Sequence, residues 1–208
     1  DFEGFRWRWS HTFHHTKTLQ TKDDYDHEIQ VSRPTELIAF FLNFIPLTDL
    51  LFPHKLIKYE VIKHALESGM PAYAECGGLI YLSQSLTWGN NTHKMVGFIP
   101  GDAVINSSPV GRGYASLLEK PTLPWPDIPN IPTQIAEIPA HEFHHASLEN
   151  LPNNVNFAYD VVRGHGINGI NDGIIVKNVV ASFVHRYSSD QFNWAHQFIE
   201  FIRQQKQK

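Results

Sequence analysis

Two short stretches carry side chains that could do covalent chemistry. AECGG, residues 74–78, holds Cys76, the single cysteine in 208 residues, between a carboxylate and two glycines. HEFHH, residues 141–145, spells the zinc-protease pattern H-E-x-x-H. A thiol in a glycine turn suits nucleophilic attack on a carbonyl. Two histidines one helical turn apart suit a metal-bound water. The elements that must position each stretch decide between them.

Residues 71–75, PAYAE, read as a short strand, and LIYLSQSL after Gly77-Gly78 has a helix-like pattern. Strand, sharp turn and helix form an elbow that lifts its central side chain above a sheet. Ala74, Gly77 and Gly78 supply the small neighbours that a crowded turn requires. A helix N-terminus beside Cys76 would favour the thiolate. The Gly77 N–H would point at an oxyanion formed on the attacked carbonyl. The alternative is a buried cysteine beside a helix packed closely on a strand. A thiolate nucleophile also needs a base. His185 ends the apolar run VVASFV and is followed by polar residues, as expected at a strand end, where α/β folds carry their sites. Thirteen histidines make one such placement unsurprising by itself.

HEFHH follows TQIAEI, which alternates like a strand, with Pro139 just upstream. In a strand, His141 and His145 share a face but lie too far apart for one ion, at about 3.3 Å rise per residue. Glu149 is too near in sequence to serve as a distant third ligand. No metal site is assigned. His165, flanked by glycines, reads as a loop residue, and the His11, His14 and His15 group as solvated.

Residues 55–68 read as an amphipathic helix with Gly69 at C′ and Pro71 blocking its return. MVGFIPG, RGYASLLE, TQIAEIPAHEFHHAS, NFAYDVV and GIIVKNVVASFVH look like short strands between Gly, Asn and Pro clusters. Residues 189–205 return to helix, with Phe192, Ala195, Ile199 and Ile202 as the apolar stripe and Ser188 or Ser189 as the cap. The proline-rich residues 121–132 read as a surface excursion. Residues 35–44 fit a short helix or a buried strand equally, and residues 1–33 show no periodicity. Helices flanking a strand-rich middle indicate the α/β class. The net charge of −4 gives no reason to expect nucleic acid. The longest apolar run is too short to span a bilayer, no h-region opens the chain, and one cysteine fits a reducing, cytoplasmic compartment.

The segments PAYAECGGLIYLSQSL, MVGFIPG, GRGYASL, HEFHHASLENL and NDGIIVKNVVASFVHRY, in that order, resemble the glutamine amidotransferase domain of the cobyrinic acid a,c-diamide synthase family. The resemblance runs over about residues 67–202, and FIPLTDLLFP extends it weakly. It implies a class I amidotransferase fold, a flavodoxin-like three-layer α/β sandwich with a strand-rich C-terminal half. That domain would occupy residues 34–208, partly truncated before the elbow, after an unassigned segment 1–33. It implies Cys76 as nucleophile, His185 as general base, and Gly77 and Gly78 at the oxyanion. His141, Glu142, Phe143 and Ser147 would lie near the glutamine site and a domain interface. The acid that usually stands two residues after the histidine is absent, since Tyr187 occupies that place, so the resemblance implies a Cys–His dyad. Ammonia released from glutamine would amidate a tetrapyrrole carboxylate activated by ATP and Mg in a synthetase domain or subunit. The chain has no GxxxxGK[ST] loop, so no cofactor is assigned to it. The family's glycine-rich oxyanion segment before the elbow has no counterpart, as Phe52-Pro53 runs almost directly into the helix. A catalytically impaired binding or structural module is therefore the alternative reading.

Overall fold

The computed structural model describes residues 54–127, 137–188 and 192–207. The segment 1–33, the run 35–44, Phe52-Pro53 and residues 128–132 of the proline-rich loop lie outside them. The chain divides into two units, Asp1–Leu56 and Ile57–Lys208, and the sheets belong to the second.

Helix α1, His54–Glu67, stops at Gly69, whose φ of 94° suits only a residue without Cβ. The N–H groups of Gly69 and Met70 bond back to Leu66 and Ala65, so the helix's last carbonyls are satisfied. The chain then enters β1, Ala72–Glu75, turns at Cys76, and forms α2, Gly77–Leu82. The remaining strands are β2 Ser85–Trp88, β3 Asn91–Lys94, β4 Asp102–Ile105, β5 Gly111–Glu119, β6 Ile138–His144, β7 Ala146–Glu149, β8 Asn156–Arg163, β9 Asn171–Val176, β10 Val179–Ser182 and β11 His185–Arg186. Helix α3 is Trp194–Lys206.

Seven strands form one sheet in the order β1-β10-β9-β8-β5-β6-β11, and β3-β2-β4-β7 form another. In the larger sheet β1 and β10 run parallel, with Glu75 opposite Ser182. The other pairings of that sheet are antiparallel. Alternation along β10 explains the layering. Val179 and Ala181 pack with Leu66 of α1 and Leu79 of α2, whereas Val180 packs with Phe201 of α3. Successive side chains of a strand point to opposite faces, so the sheet lies between two helical layers. All four β10 residues are buried, as a strand covered on both faces requires. The three-layer α/β sandwich expected from the sequence is the fold.

Several local expectations need correction. LIYLSQSL is helix only to Leu82. The Ser83 hydroxyl bonds the Ile80 and Ser85 carbonyls, and the Gln84 amide bonds Gly97 and Ile99, so polar side chains draw the chain out of the helix and into β2. MVGFIPG is an irregular segment with Val96, Phe98 and Ile99 buried, held by N–H groups of Val96, Phe98 and Ile99 on Tyr81 and Leu82 carbonyls. Asn193 caps α3, accepting the His196 N–H, where the sequence suggested Ser188; the other cap candidate, Ser189, lies outside the described residues. The buried face of α3 carries Gln197 and Phe201, with Trp194 and Phe198 packed beside them, while Ile199 is exposed. Aromatic shape complementarity outweighs the aliphatic stripe there. Trp125, in the stretch read as a surface excursion, is buried against Tyr73, Trp194 and Phe198. Among the described residues, no helix is long and apolar enough to cross a membrane.

Candidate active site

Cys76 sits between β1 and α2 with φ 48° and ψ −101°, a backbone conformation L-residues rarely adopt. Such strain, about 1–3 kcal/mol, persists only where surrounding structure enforces it. Here the Cys76 N–H donates to the Ser182 carbonyl at 2.7 Å, and its own carbonyl accepts the Ile80 N–H. The strand–turn–helix elbow expected from AECGG is therefore present. Gly78 is needed for packing: a Cβ there would lie 3.1 Å from Ala74 Cβ. Gly77 has no such constraint and faces open space, contrary to the expectation of crowding at both glycines. Helix α2 begins at Gly77, so the Gly77 and Gly78 N–H groups have no acceptor within it. The thiol is half-buried, with Sγ 3.9 Å from the Phe143 carbonyl.

The structure brings His185 to Cys76 across 109 residues of sequence. The route is the parallel β1–β10 pair. After Ser182 the chain bends through Phe183 and Val184, both fully buried. Asp172, also fully buried, accepts the N–H groups of both at 3.1 and 2.9 Å. Phe183 stacks on the His144 ring at 4.3 Å. With the bend fixed, His185 opens β11 and pairs with His141 of β6. His185 is thus reached through a clamped bend, where the sequence suggested the end of the preceding strand.

The environment of His185 is charged on two sides. Hydrogen bonding to Cys76, followed by hydrogen bonding to Glu75, pushes its pKa up to about 10. His185 Nδ1 lies 3.3 Å from Glu75 Oε2. Glu75 Oε1 accepts the Tyr73 hydroxyl at 2.6 Å and the Arg186 N–H at 3.1 Å. Burial raises the Glu75 carboxyl pKa, but the bonds from His185, Tyr73 and Arg186 outweigh it and leave it below the usual carboxylate range. No role was read for Glu75 in the sequence. Its type and its place beside Cys76 were visible; its proximity to residue 185 was not.

His141 stacks on His185 with ring centroids 4.9 Å apart, and Tyr187 tilts against His141 at 5.3 Å. Burial, then the neighbouring His185 charge, lowers the His141 pKa, and its Nδ1 has no hydrogen-bond partner. Phe143 and Tyr114 leave large exposed surfaces on the same side of the sheet. Glu142 points the other way. It is buried and accepts the N–H groups of His165 and Gly166 at 2.7 and 3.0 Å. Gly111 and Gly164 leave room for it: a Cβ on Gly111 would come within 2.7 Å of its carboxylate, and one on Gly164 within 2.9 Å. The structure therefore gathers Cys76, Gly77, Gly78, His185 and His141, and places Glu142 on the opposite face of β6, tying the 164–166 turn. Ser147 lies on β7, bonded to Asn106 and Glu149. HEFHH is strand through His144, so His141 and His145 do not form the one-turn helical pair that zinc hydrolases use.

This arrangement supplies a thiol, an imidazole with a carboxylate behind it, and two N–H donors without an acceptor inside their own helix. These are the parts needed for acyl transfer through sulfur. A family model described as the CobB/CobQ-like glutamine amidotransferase domain matches residues 46–192. The cobyrinate a,c-diamide synthase of Magnetococcus marinus is 38% identical over 145 residues, covering 70% of this chain and 30% of its own length. The protein of the same name from Archaeoglobus fulgidus is 32% identical over 161 residues, covering 75% of this chain and 33% of its own. The matched stretch thus spans about a third of those relatives. A solved glutamine amidotransferase superimposes with a TM-score of 0.49 at 13% identity, covering 70% of this chain and 68% of that one.

Proposed function

This chain belongs to the CobB/CobQ-like glutamine amidotransferase domain family, and on that premise we propose that it hydrolyses glutamine at Cys76 to feed an ATP-dependent amidation. The acceptor we propose is a side-chain carboxylate of a cobyrinic acid-type tetrapyrrole, in keeping with the names of the matching relatives. The observation that carries the glutaminase reading is the strained elbow at Cys76 with the His185 imidazole, backed by Glu75, brought beside it.

In this mechanism the Cys76 sulfur, as thiolate, attacks the side-chain amide carbon of glutamine. The Gly77 N–H donates to the developing oxyanion, a contribution worth about 10²–10³ in rate for a donor of this kind. His185 gives its proton to the amide nitrogen, the C–N bond breaks, and ammonia leaves a glutamyl thioester. Water then attacks the thioester and gives a proton to His185. Glutamate departs and the sulfur is regenerated. His141 forms the floor beneath the imidazole. Glutamine is the substrate in this reading, and the carboxylate-activating chemistry belongs to an ATP-binding synthetase domain or subunit. ATP and Mg would be held there, and no residue of this chain is assigned to them. A cytoplasmic setting would keep the thiol reduced.

The test is alkylation by diazo-oxo-norleucine, a glutamine-analogue electrophile, followed by intact mass and peptide mapping. One adduct on Cys76, prevented by excess glutamine, is the expected result. Folded protein with a free thiol and no adduct would overturn the catalytic reading and leave a binding or structural module.

A further inference from the structure

Among the described residues, Glu75 is the carboxylate that contacts the candidate base, and it does so from the position preceding the candidate nucleophile. Its two oxygens have separate tasks. Oε1 is fixed by the Tyr73 hydroxyl at 2.6 Å and the Arg186 N–H at 3.1 Å. Oε2 remains for His185 Nδ1, at 3.3 Å. Tyr73 and Glu75 lie two apart on β1 and so share one face of the strand. Tyr73 is itself wedged among Trp125, Trp194 and Phe198, with centroids 5.1, 4.8 and 6.4 Å away. The carboxylate is therefore held on a rigid element by a rigid neighbour. The sharp turn at Cys76 lets consecutive residues approach one imidazole: Glu75 meets it at Nδ1, and Cys76 acts on it from the neighbouring position.

We propose that Glu75 is the positioning acid of this site: it holds His185 with Nδ1 protonated and its other nitrogen turned to Cys76, in place of the acid missing at Tyr187. The proposal deepens the glutaminase reading and rests on it for its catalytic part. Proton balance is simple. Glu75 stays ionised throughout, Nδ1 keeps its proton, and the other ring nitrogen carries the mobile one. Among the described residues, the other groups the structure shows at the imidazole are Cys76 and the stacked His141 ring, with Tyr187 in turn against His141. Removing the Glu75 charge therefore leaves His185 with one anionic neighbour fewer and the same aromatic floor.

The experiment compares the full chain with Glu75→Gln, which keeps shape and removes charge. Two readouts are taken: the His185 ring titration by NMR, and glutaminase kcat and KM from ammonia release. In Glu75→Gln, the His185 midpoint should fall by at least one pH unit. In that variant kcat should also fall at least tenfold, with KM within about threefold, because an orienting group acts on proton transfer more than on ground-state binding. An unchanged midpoint overturns the proposal whatever kcat does, and so does a shifted midpoint with unchanged kcat. If the wild-type chain releases no ammonia but the midpoint still falls, the pairing stands and the glutaminase reading fails. Should Glu75→Gln not fold, Tyr73→Phe decides. It removes one of the bonds holding Glu75 and should move the midpoint in the same direction by a smaller amount, and no movement overturns the proposal.

Discussion

The buried carboxylate of Asp172 accepts the Val184 N–H at 2.9 Å, one residue before His185. It also accepts the Phe183 N–H, so one side chain satisfies both amides of the bend that delivers the imidazole. Asp172→Ala orphans two buried donors at once. Each uncompensated buried polar group costs about 1–3 kcal/mol, so a loss of roughly 2–5 kcal/mol is expected. Urea unfolding should show it as a lower midpoint with little change in slope. A midpoint within error of wild type would mean that the bend holds itself.

The same groups set a pH dependence of stability. Burial pushes the Asp172 pKa up from 3.8 to about 6, so the native state keeps that proton more tightly than the unfolded chain. The stability gained from holding it is therefore lost as pH rises from about 4 to about 6. His185 is raised from 6.5 to about 10, and its contribution is complete below 6.5 and lost as pH rises towards 10. Glu75 and Glu142 act oppositely. Burial opposes ionisation of both, but their hydrogen bonds depress them below 4.5, and that contribution disappears in acid. Tm should be highest near pH 5 and decline towards pH 10. His185→Ala should flatten the decline above pH 7. A Tm that stays level or climbs from pH 6 to 9.5 would contradict this account.

What could be read along the chain, and what could not, follows from the range of the interactions. The elbow at Cys76 is local: a strand, two glycines and a helix start within a dozen residues, so AECGG announces it. The α/β class is also written in local patterns. His185 was reachable because an apolar run ends beside it. Glu75 was not assigned, because its task depends on a residue 110 positions away and on the Tyr73 hydroxyl that orients it. The shortened α2 was missed because LIYLSQSL keeps a helical apolar spacing while Ser83 and Gln84 bond outside it. Glu142 sits in a motif placed at the site, yet strand alternation turns it to the opposite face from His141. The motif locates the strand, and the pleat decides which side chains serve the site.

The two glycines of the elbow should respond differently to substitution. Gly77→Ala adds a methyl in open space at the first helical position, where alanine is the better helix former by about 1 kcal/mol. It should be neutral to slightly stabilising. Gly78→Leu drives a branched side chain into Ala74, already 3.1 Å from the nearest Cβ position, and should cost about 1–3 kcal/mol through overpacking. Thermal unfolding of the two variants side by side separates the cases. Equal losses would show that the constraint lies in the turn itself and not in the helix–strand contact.

The buried Trp125 links packing to the site. It is 5% exposed, edge-on to Tyr73 at 5.1 Å and 5.2 Å from Phe198. Trp125→Ala removes most of a large aromatic from a closed cluster, a change that costs about 3–5 kcal/mol. Tyr73 would lose the neighbour that fixes its ring, and Glu75 would be held less firmly at His185. Trp125→Phe keeps most of the volume and should recover much of the loss. The pair separates packing from chemistry: under conditions where both variants are fully folded, Trp125→Ala should still show a lower kcat for ammonia release than Trp125→Phe. Equal kcat values in folded protein would mean that the cluster stabilises the fold without tuning the orientation of Glu75.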